Sequence, residues 1–423
     1  MGGLEGVINS YLTPMDIDQL INTAVFSPDD MEKKTARENV RKIAKEKGIY
    51  SASIHALYLA IGQGKVSGFT VPAINIRALT YDTAQVIFKL AREHHIGPFI
   101  FEIARSEQGY TEQQPDEYTV AVLAAAIKTG YAGPVFLQGD HYQFKRNVYS
   151  ETPEKEIEAL KGLIKKSVEA GFYNIDIDAS TLVDLAKEKV EDQQKTNFEM
   201  TALLHDYIRE TQPTGVVVSV GGEIGHIGGK NSNADEFRAF MNGFKQSAKV
   251  QGGISKVSVQ TGTSHGGIPL ADGTIAKVKL DFSVLQTVTE AGHSEYKMGG
   301  AVQHGASTLP EELFNKFPEV KTLEIHLATG FQNTVYDNLP TVLKNRMYEW
   351  IKTNYAKDRK DGQSDEQFIY TMRKKAIGPF KKELWGMTED EKKPIREALS
   401  RQFLSMFTKL NILNTDFLIK PYV

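Results

Sequence analysis

Residues 134–141 read PVFLQGDH, an apolar run that stops on a carboxylate and an imidazole, Asp140 and His141. The same event recurs down the chain, where apolar, β-branched runs end on Asp178, Glu223, His265, His304 and finally His326. Counted from His141, the first four of these lie 37, 45, 42 and 39 residues apart, about one strand-loop-helix unit each. In a parallel sheet built from such units the strand C-termini face one way. Residues remote in sequence then converge on one pocket.

Working outward from 134–141, strand-like runs alternate with helical periodicity. They are GFTVPAINI, GPFIFEIA, PVFLQGD, YNIDIDAS, TGVVVSVGGEIG, ISKVSVQTG, GGAVQHGAS and VKTLEIHLATG, eight in all. Eight such units predict an α/β fold, a closed (β/α)8 TIM barrel. A continuous parallel ring hides its edges and carries its helices outside, so it is preferred to a doubly wound open sheet. The expected domains are a helical arm over 1–66, the barrel over 67–354, and a helical extension over 355–423. The extension is amphipathic through KKELWGMTEDEKKPIREALSRQFLSMFTKL, which suits packing on the barrel or on a partner subunit. A homo-oligomer, dimer or tetramer, is the expected assembly.

With 50 basic against 53 acidic residues in 423, the chain offers no global attraction to nucleic acid or to an anionic membrane. The expected partner is a small molecule. There is no run of about 18 apolar residues, and MGGLEGVINSYL lacks a signal-peptide pattern. A cytoplasmic location is the expectation. Cysteine is absent, so a transition metal must be held by imidazole nitrogen and carboxylate oxygen.

An isolated Asp-His pair is more often a hydrogen-bonded loop pair than a site. His265 and His304 change the weighting. Each sits in a glycine-bordered loop, TGTSHGGIP and QHGAS, where the backbone can approach a ligand closely. Three imidazoles, His141, His265 and His304, with an open fourth position are the ligand set of a catalytic zinc. Arg77 and Arg105, just past the first two strands, are placed for an anionic substrate group, the alternative being surface ion pairs. Arg373-Lys374-Lys375 reads as a solvated helix face in preference to a basic group that reaches a distal phosphate, and His94-His95 as structural residues at a helix end.

The motifs Val71-Pro72-Ala73-Ile74-Asn75, Gly139-Asp140-His141, Ile177-Asp178-Ala179-Ser180, Glu223-Ile224-Gly225-His226-Ile227-Gly228-Gly229, Gly262-Thr263-Ser264-His265-Gly266 and His304-Gly305-Ala306-Ser307 resemble, in order, those of class II ketose-bisphosphate aldolases. FEIARSEQGYT and NIDIDAS are also similar to tagatose-bisphosphate aldolase accessory-type chains. The resemblance implies one catalytic Zn2+ on His141, His265 and His304. Glu223 and Asp178 would be alternative ligands or supports, and a second divalent or monovalent cation is left open. It implies retro-aldol cleavage of a ketose (bis)phosphate, with Asp140 removing the C4 hydroxyl proton. Asn75, Gly266, Gly305 and Ser307 would then contact the substrate, a sugar or sugar phosphate.

Two departures from the family pattern stand out. Lys230-Asn231-Ser232-Asn233 occupies the stretch where the aldolases carry a mobile acid. His326-Leu327-Ala328-Thr329-Gly330 stands in place of an Asn-x-x-Thr-Asp pattern. His326 or His226 would supply the second proton position. This opens two alternatives: a zinc-dependent ketose epimerase on the same scaffold, and a non-catalytic aldolase accessory subunit.

Overall fold

The computed structural model describes residues 16–225, 230–262, 280–306 and 309–423. A short strand β1 (Ile49–Ala52) precedes β2 (Val71–Asn75), β3 (Ile100–Ala104), β4 (Gly133–Gln143), β5 (Asn174–Asp178), β6 (Ser219–Glu223), β7 (Lys256–Val259), β8 (Gly300–Gln303) and β9 (Glu324–Leu327). All pairings are parallel. β2 to β9 pair in sequence order and β9 returns to β2, which closes the (β/α)8 barrel expected from the sequence. Closure leaves no free edge in the ring.

β1 lies outside the ring, alongside Gly133–Phe136 at the start of β4. It forms within the N-terminal stretch, which is otherwise helical over Ile17–Phe26, Asp30–Glu46 and His55–Gly62. VPAIN, IFEIA, NIDID, SVGGE, KVSV, GAVQ and EIHL are buried at every position. Barrel strands face side chains inside and helices outside, so neither face meets water.

Helix Asp30–Glu46, capped by Asp29 on the N–H groups of Met31 and Glu32, buries Ala36, Val40 and Ala44. Its Arg37 bonds Asp116 at 3.0 Å, at the first turn of the barrel helix Pro115–Thr129. At the other end of the chain, helix Glu389–Lys409 packs on helix Thr80–Glu93, with Lys392 and Arg396 on Asp82 at 3.2 and 3.1 Å. Leu410 accepts a backbone bond from Thr70, directly ahead of β2. Both extensions therefore brace the helical shell around the barrel.

Candidate metal centre

In a regular strand, neighbours point to opposite faces, so Asp140 and His141 could not both reach the barrel mouth. β4 solves this with a bulge. Its pairing with β5 steps from Gly139↔Ile175 to Tyr142↔Ile177, inserting one residue on the β4 side. His141 takes a left-handed backbone (φ +42°), a conformation that costs a non-glycine residue energy and clusters at functional sites. Gly139 makes the turn feasible, because a Cβ there would lie 2.4 Å from the Tyr142 ring.

The bulge lets neighbouring strands surround His141. Its Nδ1 lies 3.0 Å from Asp178 Oδ2 and 3.1 Å from Glu223 Oε2, while Nε2 lies 4.0 Å from Asp140 Oδ1. The His304 ring stands 4.2 Å from that of His141 and 4.1 Å from that of His326, between centroids. His304 Nε2 meets Ser258 Oγ at 2.8 Å. His326 Nδ1 faces Asp140 at 3.2 Å and Glu102 at 3.1 Å, and its Nε2 faces Glu324 at 2.6 Å. The strand ends of β4, β5 and β6 and the residue after β8 thus meet as the spacing of the sequence predicted, and His326 of β9 joins them.

Asp140, His141 and His304 each offer a ligand atom within 4.8 Å of the others, and so do His141, Asp178 and Glu223. Imidazole nitrogen with carboxylate oxygen is a donor set suited to zinc and related divalent ions, so the residues fit a metal. His265, expected as the third imidazole, lies outside the described residues, as do His226, Gly266 and Ser307.

Beside the histidines opens a cavity of about 540 Å³, also lined by Asn75, Arg77, Arg105, Gly305 and Lys374. Arg77 and Arg105 do reach its wall, but neither is uncommitted. Arg77 bonds Glu107 at 2.7 Å and Gln332 at 3.1 Å, and Arg105 grips Glu156 and the Gln143 carbonyl. Asn75 donates to the same Glu107 at 2.6 Å. For Lys374 the cavity favours the less preferred of its two sequence readings, a basic group within reach of a substrate anion, over a solvated face. The short turn Arg373–Ala376 brings it to the cavity wall, 5.8 Å above the Tyr110 ring.

Sequence reasoning overlooked Glu102, Asp176, Lys256 and Glu324. The signal was present, since Asp176, Lys256 and Glu324 are charged residues two positions ahead of inward-facing Asp178, Ser258 and His326, on the same strand face.

The carboxyls of this centre are driven apart. Burial, reinforced by Asp178, pushes Glu223 up to about 7 against the pull of His141. Burial likewise pushes Glu102 up to about 7 against His326. Burial works the same way on Asp140, but His141, His326 and His304 overcome it and hold Asp140 well below the usual range. A carboxyl raised by folding adds stability that is complete below its unfolded value, near 4.5, and is lost as pH rises through its folded value near 7. Metal-free protein is therefore expected to lose stability across that window. Glu223→Gln, which mimics the protonated side chain, should gain melting temperature relative to wild type as pH rises. Thermal melts of both proteins at several pH values check this, and a gap that narrows with rising pH contradicts it.

The model of the family described as fructose-bisphosphate aldolase class-II matches residues 59–383. The chain belongs to that family. Among curated proteins, none matches the chain by sequence. Among solved structures, the chain is similar to a fructose-bisphosphate aldolase from Campylobacter jejuni at 16% identity and TM-score 0.51, over 87% of this chain and 96% of that one. It is also similar to a fructuronate-tagaturonate epimerase from Cohnella laeviribosi at 10% identity and TM-score 0.57, over 93% of this chain and 90% of that one. At these identities the likeness is one of fold. In this class II aldolase family member β9 carries His326 beside Asp140, at one of the two places where the sequence departs from the motif pattern.

Proposed function

We propose that this chain is a metal-dependent enzyme that makes and breaks the C3–C4 bond of a ketose carrying an anionic terminal group. The observation that carries the reading is the meeting of His141, His304 and Asp140 beside a cavity whose wall holds Lys374 and Arg77. His141 and His304, with His265, would hold the ion. Asp178 and Glu223 face His141 Nδ1 and orient the ring, as carboxylates behind metal-binding histidines do. A bound divalent ion supplies Lewis acidity toward the C2 carbonyl. Asp140, beside the metal-holding histidines and facing His326 at 3.2 Å, takes the C4 hydroxyl proton. The C3–C4 electron pair then moves toward the carbonyl and C4 leaves as an aldehyde. Lys374 and Arg77 receive the phosphate or carboxylate at the substrate's end, with Asn75, Gly305 and Arg105 on the same wall.

His326 supports a second reading, epimerisation at C4. It places another proton-carrying group 3.2 Å from Asp140, so a fragment that turns over before bond formation could be reprotonated in the opposite sense. The test is metal analysis, then incubation with fructose and tagatose, free, phosphorylated and as the corresponding uronates, with products identified by NMR. A released aldehyde supports the lyase, and an isomer alone supports the epimerase. Inertness of the metal-loaded protein toward all of them overturns both and favours the accessory role.

Lys374→Ala is expected to raise KM about tenfold to hundredfold for the anionic ketose and to leave kcat within a few-fold, since a hydrogen bond to a charged group contributes about 1.5–3 kcal/mol. An unchanged KM removes Lys374 from the substrate site.

A further inference from the structure

Beneath the histidines, the barrel interior departs from the usual filling of branched apolar side chains. One layer down it holds Gln138, Asp176, Lys256 and Glu324, from β4, β5, β7 and β9. Lys256 is 1% exposed and Glu324 fully buried. The Lys256 ammonium bonds Glu324 at 2.5 Å, Gln138 at 2.7 Å and Asp176 at 3.0 Å. Glu324 also accepts from Gln138 at 3.0 Å and from the buried Tyr58 hydroxyl. Gly221 of β6 leaves room for this pair, because a Cβ there would lie 2.3 Å from Asp176 and 3.0 Å from the Lys256 side chain.

Such a layer is costly. Burying an ion pair stabilises a fold no better than apolar residues of equal volume, so its presence calls for another role. Glu324 carries this layer to the cavity wall through His326, whose Nε2 lies 2.6 Å from Glu324 Oε1. Burial would favour the neutral acid, yet Lys256 and His326 hold Glu324 down to about 2. A charged acceptor locked by Lys256, Gln138 and Tyr58 therefore meets one ring nitrogen. The other nitrogen is left turned to Asp140 and Glu102 at 3.2 and 3.1 Å.

We propose that Lys256 and Glu324 are positioning residues: they clamp the His326 ring through Nε2 so that Nδ1 is presented to Asp140 at the cavity. Without the clamp the ring can turn about its Cβ–Cγ bond and present carbon in place of Nδ1. The idea rests on the proposed role of His326 in proton handling, but the clamp itself is testable apart from it.

The test uses the full-length, metal-loaded protein. Lys256→Met alone would strand Glu324 and Asp176 in the barrel, so it is combined with Glu324→Gln, which leaves as the layer's one carboxylate Asp176, already pushed up to about 6 by burial. Wild type should show a ring N–H proton that exchanges slowly with solvent, assigned to His326 by its loss in His326→Gln. The paired variant should lose that proton, keep its metal, and drop in kcat about tenfold or more with KM little changed. Adding His326→Gln to the paired variant should cost nothing further, since residues acting as one unit are non-additive. Absence of the protected proton in wild type, its persistence in the paired variant, or losses that multiply would each overturn the clamp. If His326→Gln alone turns over at the wild-type rate, the role of His326 in the chemistry falls, while the proton signal still decides whether the clamp exists.

Discussion

Replacing His304 with Ala is expected to leave a folded barrel that retains no zinc and has no measurable turnover. The ring stands between His141 and His326 at centroid distances of 4.2 and 4.1 Å, and Ser258 is its bonded neighbour on β7. Removing an outer-shell partner of a metal site costs about 10-fold to 100-fold in affinity, and removing a ligand should exceed that. Metal content after dialysis, together with circular dichroism to establish folding, provides the measurement. A metal-free variant with full activity would end the metal reading altogether.

Asp140→Asn separates two roles that geometry leaves side by side. Asp140 is grouped with His141 and His304 as a donor set, and it also faces His326. If it is the base, the amide keeps the shape of the side chain but cannot accept the proton. Zinc should then remain bound while turnover falls about a hundredfold or more. Loss of zinc together with activity would make Asp140 a ligand instead. Unchanged zinc and unchanged rate would remove it from the mechanism.

The convergence of strand ends was legible because each run announces its own end. PVFLQ stops at Gly139-Asp140-His141, NIDI at Asp178, and AVQ at His304. The bulge that turns Asp140 and His141 to the same side was not legible, since it is a mismatch of register between β4 and β5 and belongs to neither strand alone. Arg77 and Arg105 were rightly placed near the cavity. Their commitments to Glu107 and Glu156 were hidden, because these partners come from helices whose facing is set by packing. The two readings of Lys374 could not be separated for the same reason: it is one of three consecutive basic residues on a turn far down the chain, and although Lys374 and Lys375 both stand over the Tyr110 ring, Lys374 is the one on the cavity wall.

Local sequence properties alone determined the alternation of strands and helices, the eight-unit rhythm and the polar residues at the strand ends. Side-chain periodicity and apolar run length are carried by each segment wherever it sits. The ring closure from β9 to β2, the left-handed turn at His141 and the charged layer of Lys256, Asp176 and Glu324 were decided by the tertiary structure. Desolvation and Coulomb energy depend on which groups share a water-free volume, and that volume comes into being only when the barrel closes.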